Sequence, residues 1–207
     1  MVRVDQESVQ DSAQISTLIN RLNRLQPDPA YRDDLYGIDA CRLALDALEQ
    51  GNYGVAALLI DPQGQVVAQS ENRVFSQAVA SKDSANAAFA DYHSSAHAEM
   101  LLIDQLEAGL VPHPAEQLTL LVTLEPCPMC LTRLLVSGIG SVRYIARDPD
   151  GGMLTQADKL PPAWRNLMQL QSHYKAHVST AVRALASDIA ATNLVTLRGK
   201  LFKHIRS

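Results

Sequence analysis

The stretch LTLLVTLEPCPMCLTRLLV, residues 118–136, runs from leucine and β-branched residues through a cysteine pair into a second leucine-rich segment. Residues 118–124 have the length and make-up of a buried strand, and Pro128 stands where a helix accepts proline, in its first turn. Cys127 and Cys130, three apart, then share one face of that turn and can reach a common point. Such a pair serves as a redox dithiol, as half of a structural zinc knot, or as part of a catalytic metal site. Its company elsewhere in the chain decides among these.

Thirty residues before Cys127 the chain reads SSAHAEMLLIDQL, residues 94–106, which places His97 and Glu99 at the start of an apolar helix. His97, Cys127 and Cys130 are three soft or borderline ligands of the kind zinc takes. A structural zinc site closes its tetrahedron with four protein ligands, whereas three leave a position open. The only other cysteine, Cys41, lies on the apolar stripe of an earlier helix and reads as a core residue. His93, four residues before His97, is the one nearby candidate for a fourth ligand, although HSS reads as loop; His113, His173, His177 and His204 read as ordinary core or surface histidines. The ligand count therefore favours catalysis. His97 and Glu99, two apart, would diverge in mid-helix and converge on one centre only in a first turn. Two helix N-termini would then face the metal, and their partial positive ends favour the thiolate forms. Such an ion acidifies a bound water, and a carboxylate beside it that is not a ligand can move that proton to a substrate nitrogen. Taken alone, Glu99 also reads as a first-turn acid complementing the helix dipole.

Outward from these motifs, Ile15, Leu18, Ile19, Leu22 and Leu25 form an apolar helical stripe stopped by Pro27 and Pro29, and Ile38, Cys41, Leu45 and Leu48 repeat the pattern up to Gly51. YGVAALLI and QVVAQS flank the turn DPQG as two strands, LTLLVTL and SVRYIA supply two more, and helices start near His97 and Pro128. The order helix, strand, strand, helix, strand, helix, strand predicts an α/β layer structure with helices packed on one sheet. Residues 79–95 follow the second strand without clear periodicity and read as a short helix or a lid.

At 47% hydrophobic and 19% charged residues over 207 positions, the composition is that of a globular protein with a full core. No window approaches a membrane span, and MVRVDQESVQ lacks the apolar run of a secretory signal, so a cytoplasmic location is expected. Three cysteines make no disulfide framework, and a reducing compartment leaves them free for metal. The net charge of −4 is unevenly spread: residues 158–207 hold eight Lys/Arg against two acids, and the rest ten against twenty. That basic segment, ending RGKLFKHIRS, reads as a solvated helix face or as a phosphate-binding surface.

HAE followed by PCPMC resembles the signature of the cytidine deaminase superfamily of zinc deaminases. TLEPCPMC, SENR and ARDPDGG are similar in wording to its tRNA adenosine deaminase and guanine deaminase branch. The resemblance implies a three-layer αβα cytidine deaminase-like fold with a mixed sheet of about five strands. It divides the chain into an N-terminal helical extension (1–35), a zinc deaminase core (36–150) and a C-terminal extension completing the same domain (151–207). It implies one zinc per chain on His97, Cys127 and Cys130, with Glu99 as proton shuttle. Asn72 would contact the base, and the backbone N–H of Ala98 would face the leaving or carbonyl group. A homodimer is the family's habit. The tail with Trp164 and a strand-like HVSTA is similar to guanine deaminase-like members, and Asp158 in TQADKL stands nearest to that branch's base-reading acid. Guanine or a related purine is the first expected substrate, among aminated nucleobases, nucleosides and related heterocycles. The alternatives are a tRNA-editing adenosine deaminase, supported by the basic tail, and a non-catalytic zinc-stabilised binding module, which would have no need of Glu99.

Overall fold

The computed structural model of the chain describes residues 2–75 and 92–206. Residues 79–91 of the stretch read as a helix or lid lie outside the described residues, and 92–95 form a turn. Two helices come first, α1 (Val2–Leu22) and α2 (Asp34–Glu49), followed by β1 (Ala56–Ile60) and β2 (Val66–Glu71). The chain continues with α3 (Ala98–Glu107), β3 (Thr119–Leu124), α4 (Pro128–Val136) and β4 (Ser141–Ala146). It ends with α5 (Pro162–Met168), β5 (Ser172–Lys175), α6 (Thr180–Ala191) and α7 (Leu194–Arg206).

Five strands form one mixed sheet in the order β2-β1-β3-β4-β5. β1 pairs antiparallel with both β2 and β3, whereas β4 runs parallel to β3 and to β5. The parallel steps follow from the chain between them: α4 carries it back from β3 to β4, and α5 from β4 to β5, as parallel pairing requires. Every residue of β1 is buried, and its side chains alternate between the two faces. Ala56, Leu58 and Ile60 join the core under α2 and α6, while Ala57 and Leu59 join the one under α3 and α4. Helices thus cover both faces, and α1 packs outside α2 and α6 through the buried Leu18 and Leu22. A third cluster, Leu131, Leu135 and Leu160, seats α5 on α4.

Local chemistry sets the helix ends. After α2, Gly51 takes φ +80°, and the N–H groups of Gly51 and Asn52 bond to the carbonyls of Leu48 and Ala47, a Schellman closure that glycine accepts at no steric cost. Gly37 on α2 lets α6 approach, because a Cβ there would stand 2.7 Å from a Val182 methyl. Among the described residues no helix is long and apolar enough to cross a membrane.

The fifth strand differs from expectation. HVSTA, residues 177–181, is not a strand: the buried Asp33 and Asp34 carboxylates accept the N–H groups of His177 and Ser179 at 2.8 and 2.6 Å, which takes them out of any ladder. Ser179 then caps α6, accepting from the Val182 N–H. The strand lies earlier, at SHYK, on the sheet edge, where a largely exposed strand carries little apolar signal.

Candidate active site

The topology brings four chain reversals to one end of the sheet. β2, β3 and β4 all end there and β1 starts there, so Asn72, Cys127, Asp148 and Tyr53 become neighbours despite their separation in sequence. Carboxyl ends of strands in an α/β layer are the usual place for a ligand crevice. Here they border a cavity of about 560 Å³, with Leu194, Arg198 and Leu201 of α7 on the opposite wall.

His97 and Cys127 occupy equivalent positions, each the extended residue just ahead of a helix, α3 and α4 respectively. Neither side chain caps its own helix, a job that Ser, Thr or Asp does at most such positions. They turn instead to each other and to Cys130, one turn into α4. His97 Nδ1 lies 3.4 Å from Cys130 Sγ and 3.8 Å from Cys127 Sγ, and the ligand atoms all lie within 4.8 Å of one another. A tetrahedral zinc with bonds of about 2.0 Å to nitrogen and about 2.3 Å to sulfur holds such atoms about 3.5 Å apart. The three residues therefore fit zinc and make a site that can hold it. His93 is exposed, 3.4 Å from Ser95 Oγ, and is not in the cluster.

The electrostatics match. The hydrogen bond from Cys130, outweighing burial, drops the Cys127 thiol to about 4, and the same bond, with burial, raises Cys130, so the pair keeps one proton until a cation replaces it. Burial works against a charged His97, but the bond to Cys127 and the nearby Glu99 carboxylate outweigh it and raise the imidazole. Glu99, 3% exposed, lines the cavity, and burial raises its carboxyl above the ordinary range.

Asn72 is buried in the cavity wall, and its Oδ1 accepts the Val74 N–H at 3.1 Å, which fixes the amide. The Arg73 N–H bonds to the Ala96 carbonyl and ties this turn to the residue before His97. Ala98 is the first residue of α3, with its side chain wholly buried; its N–H is one of the first-turn donors that a helix leaves unmatched. Asp158 and Trp164 are not brought in. Asp158 is exposed in a 3-10 segment, Leu154–Lys159, and Trp164 packs against the Leu131, Leu135 and Leu160 cluster; neither lines the cavity.

Two cavity residues were not singled out from the sequence. Glu125, 2% exposed, accepts the N–H groups of Thr155 at 2.7 Å and Asp148 at 3.2 Å and so holds the 148–155 loop against the end of β3. Gly152 permits that closeness, since a Cβ there would stand 2.5 Å from the Glu125 carboxyl carbon. The signal was an acid inside the apolar LEPC. Asp148, whose Oδ1 accepts from Asp150 and Gly151, is the second; Arg198, which opens the basic stretch RGKLFKHIRS, also borders the cavity.

The family model of the cytidine and deoxycytidylate deaminase zinc-binding region matches residues 32–146, which contain His97, Cys127, Cys130 and Glu99. The chain belongs to this family. Among curated proteins it is 35% identical over 121 residues to the tRNA-specific adenosine deaminase of Bacillus subtilis, across 58% of this chain and 66% of that one. It is 33% identical over 116 residues to the tRNA(Ile)-lysidine synthase of Deinococcus radiodurans, of which it spans 18%. The chain thus covers less than two thirds of these relatives' length. Among solved structures, the guanine deaminase of Nitrosomonas europaea superposes with a TM-score of 0.53 at 22% identity, over 84% of this chain and 92% of that one. A tRNA:A34 deaminase gives a TM-score of 0.53 at 23% identity, over 75% and 99%. These likenesses establish the cytidine deaminase-like fold, a mixed five-stranded sheet between helices.

Proposed function

We propose that the chain is a zinc-dependent hydrolytic deaminase of an aminated base, free or carried on a sugar, with a purine as the preferred ring. The observation that carries this reading is the joint placement of a three-ligand metal site and the buried, non-ligating Glu99 on one cavity. Zinc held by His97, Cys127 and Cys130 would supply Lewis acidity and an activated water. Water adds at the carbon bearing the exocyclic amine, the C–N bond breaks, and ammonia leaves behind a carbonyl. Glu99 takes one proton from the water and passes it to the ring nitrogen, then takes the proton of the added hydroxyl as the carbonyl forms and delivers it to the departing amine. Burial, which raises its affinity for a proton, suits that exchange. Asn72, held by its bond to Val74, presents its amide to the ring, and the Ala98 N–H faces the group that changes.

The wall that α7 supplies favours a small ligand over an RNA loop, and the structural likeness to a guanine deaminase supports a purine. With Asp158 and Trp164 outside the cavity, we assign them no substrate contact. A second reading, adenosine deamination in tRNA, is supported by the sequence match to a tRNA-specific adenosine deaminase and by the basic α7. Ammonia release from a panel of purines, pyrimidines and their nucleosides tests the first reading. Activity confined to an anticodon stem-loop would transfer the assignment to the second.

A homodimer in the cytoplasm completes the reading. Exposed Val136, Leu170 and Tyr174, on or next to α4, α5 and the edge strand β5, offer apolar surface for pairing, and three free cysteines suit a reducing compartment. Sedimentation showing only a 22.6 kDa species at micromolar concentration would refute the dimer.

A further inference from the structure

The zinc cavity continues into a second hollow of about 370 Å³, which shares Leu124, Asp148, Ala190, Leu194 and Arg198 with it and is closed by Arg147, the 149–151 turn and Ser187. Two arginines border this annex from different elements, Arg147 beyond the end of β4 and Arg198 on α7. Arg198 is the one Lys or Arg among the described residues of the zinc cavity, close enough to Tyr53 to act on its hydroxyl. Neither arginine forms an ion pair with a described acid. The acids nearby are otherwise engaged or turned to solvent: Glu125 receives two N–H groups, Asp148 receives two, and Asp150 is exposed. Both side chains are exposed; Arg147 belongs to the ARDPDGG stretch, while Arg198 lies well beyond the matched residues 32–146.

Resting on the deaminase reading, we infer that the annex is a phosphate subsite. The aminated base lies in the zinc cavity, its sugar spans the junction at Asp148 and Leu194, and a phosphate on that sugar sits between Arg147 and Arg198. Guanidinium groups suit this ligand because their paired N–H donors match phosphate oxygens and stay charged at any physiological pH. A nucleoside monophosphate and a nucleotide within an RNA strand present the same chemistry.

The test compares adenosine, guanosine and cytidine, their 5′-monophosphates, and a stem-loop carrying the reacting nucleoside, on the full chain loaded with zinc. Binding is measured by calorimetry on Glu99→Gln protein, and turnover as ammonia release on the parent. At least one monophosphate, or the stem-loop, should bind about tenfold or more tighter than its nucleoside. Arg147→Ala with Arg198→Ala should reduce that preference to under about threefold, while Arg198→Lys retains part of it. Ser187→Trp, which fills the annex from exposed α6, should reduce the same ratio. A preference for the monophosphate identifies a free nucleotide, and one for the stem-loop alone identifies an RNA phosphate; either supports the subsite. Equal binding of nucleoside and phosphate forms, or a preference that survives the double substitution, overturns it. Absence of ammonia from every compound on zinc-replete protein would instead overturn the deaminase reading, because the binding measurement needs no turnover.

Discussion

The two walls of the zinc cavity are built in opposite ways. On one side the starts of α3 and α4 are set by backbone: Leu101 and Leu131 donate to the carbonyls of His97 and Cys127, and Glu99 and Cys130 are buried one turn or less inside. On the other side α7 follows α6 through Asn193, at φ +60°, and buries only Leu197 among its residues. Val195, Phe202 and Ile205 face solvent, and the helix is held by a Lys200 contact to the Gly51 carbonyl and a His204 ring stacked on Tyr92. The difference teaches that the candidate metal ligands and Glu99 are fixed by packing, while the opposite wall rests on few contacts.

The strongest challenge to that division is Glu99→Gln, which keeps the shape and one acceptor but cannot exchange protons. Turnover should fall by roughly 10² or more while metal analysis still finds about one zinc per chain. Turnover within a few-fold of the parent would reduce Glu99 to a helix-start acid. Next comes Cys127→Ala, which removes one of three ligands; zinc content should drop well below one per chain and the thermal midpoint should fall with it, since an ion bound only by the folded state stabilises that state. A variant that kept its zinc would show that Cys127 is not a ligand.

Glu125→Ala probes the same rigid wall without touching a ligand. It strips a buried carboxylate from two N–H donors, so denaturant unfolding should register a loss of about 2–4 kcal/mol; a loss under about 0.5 kcal/mol would mean that the 148–155 loop holds itself. Removing α7 by stopping the chain after Thr192 tests the opposite wall. The far-ultraviolet spectrum should lose one helix and otherwise persist, and KM should rise about tenfold with a smaller change in kcat. A chain that no longer folded would show α7 to be part of the core.

The smallest effect concerns Cys41, whose thiol burial raises to about 12 from 9.0. The folded state keeps it neutral while the unfolded state ionises above about 9, so its contribution is intact below that pH and is lost as pH rises from 9 towards 12. By pH 10 the parent should have lost about 1.4 kcal/mol relative to Cys41→Ala, measured from pH 7. An unchanged difference would place Cys41 in contact with water.

The rigid wall was legible because its signals are local. His97, Cys127 and Cys130 each begin or enter a helix that hydrophobic spacing already marks, and the ligand count said what the helices converge on. Asn72 came from the family resemblance and not from spacing. The soft wall was not legible in that way. The charge of the 158–207 segment showed that it was basic, but only the turn at Asn193 decides that Arg198 borders the cavity while Phe202 is more than half exposed. Asp158 was misplaced for a related reason: Leu154–Lys159 is kinked at Gln156, so the direction of each side chain cannot be read from spacing. The shift of β5 likewise came from Asp33 and Asp34, about 145 residues earlier in the chain, capturing the segment where a strand was expected.

That α7 follows His97, Cys127 and Cys130 in the chain orders events during synthesis. At roughly 5–20 residues per second, the ribosome needs about 3–13 s to travel from Cys130 to Leu194. For that interval the nascent chain presents its two thiols and imidazole before the helix that borders their cavity has been made.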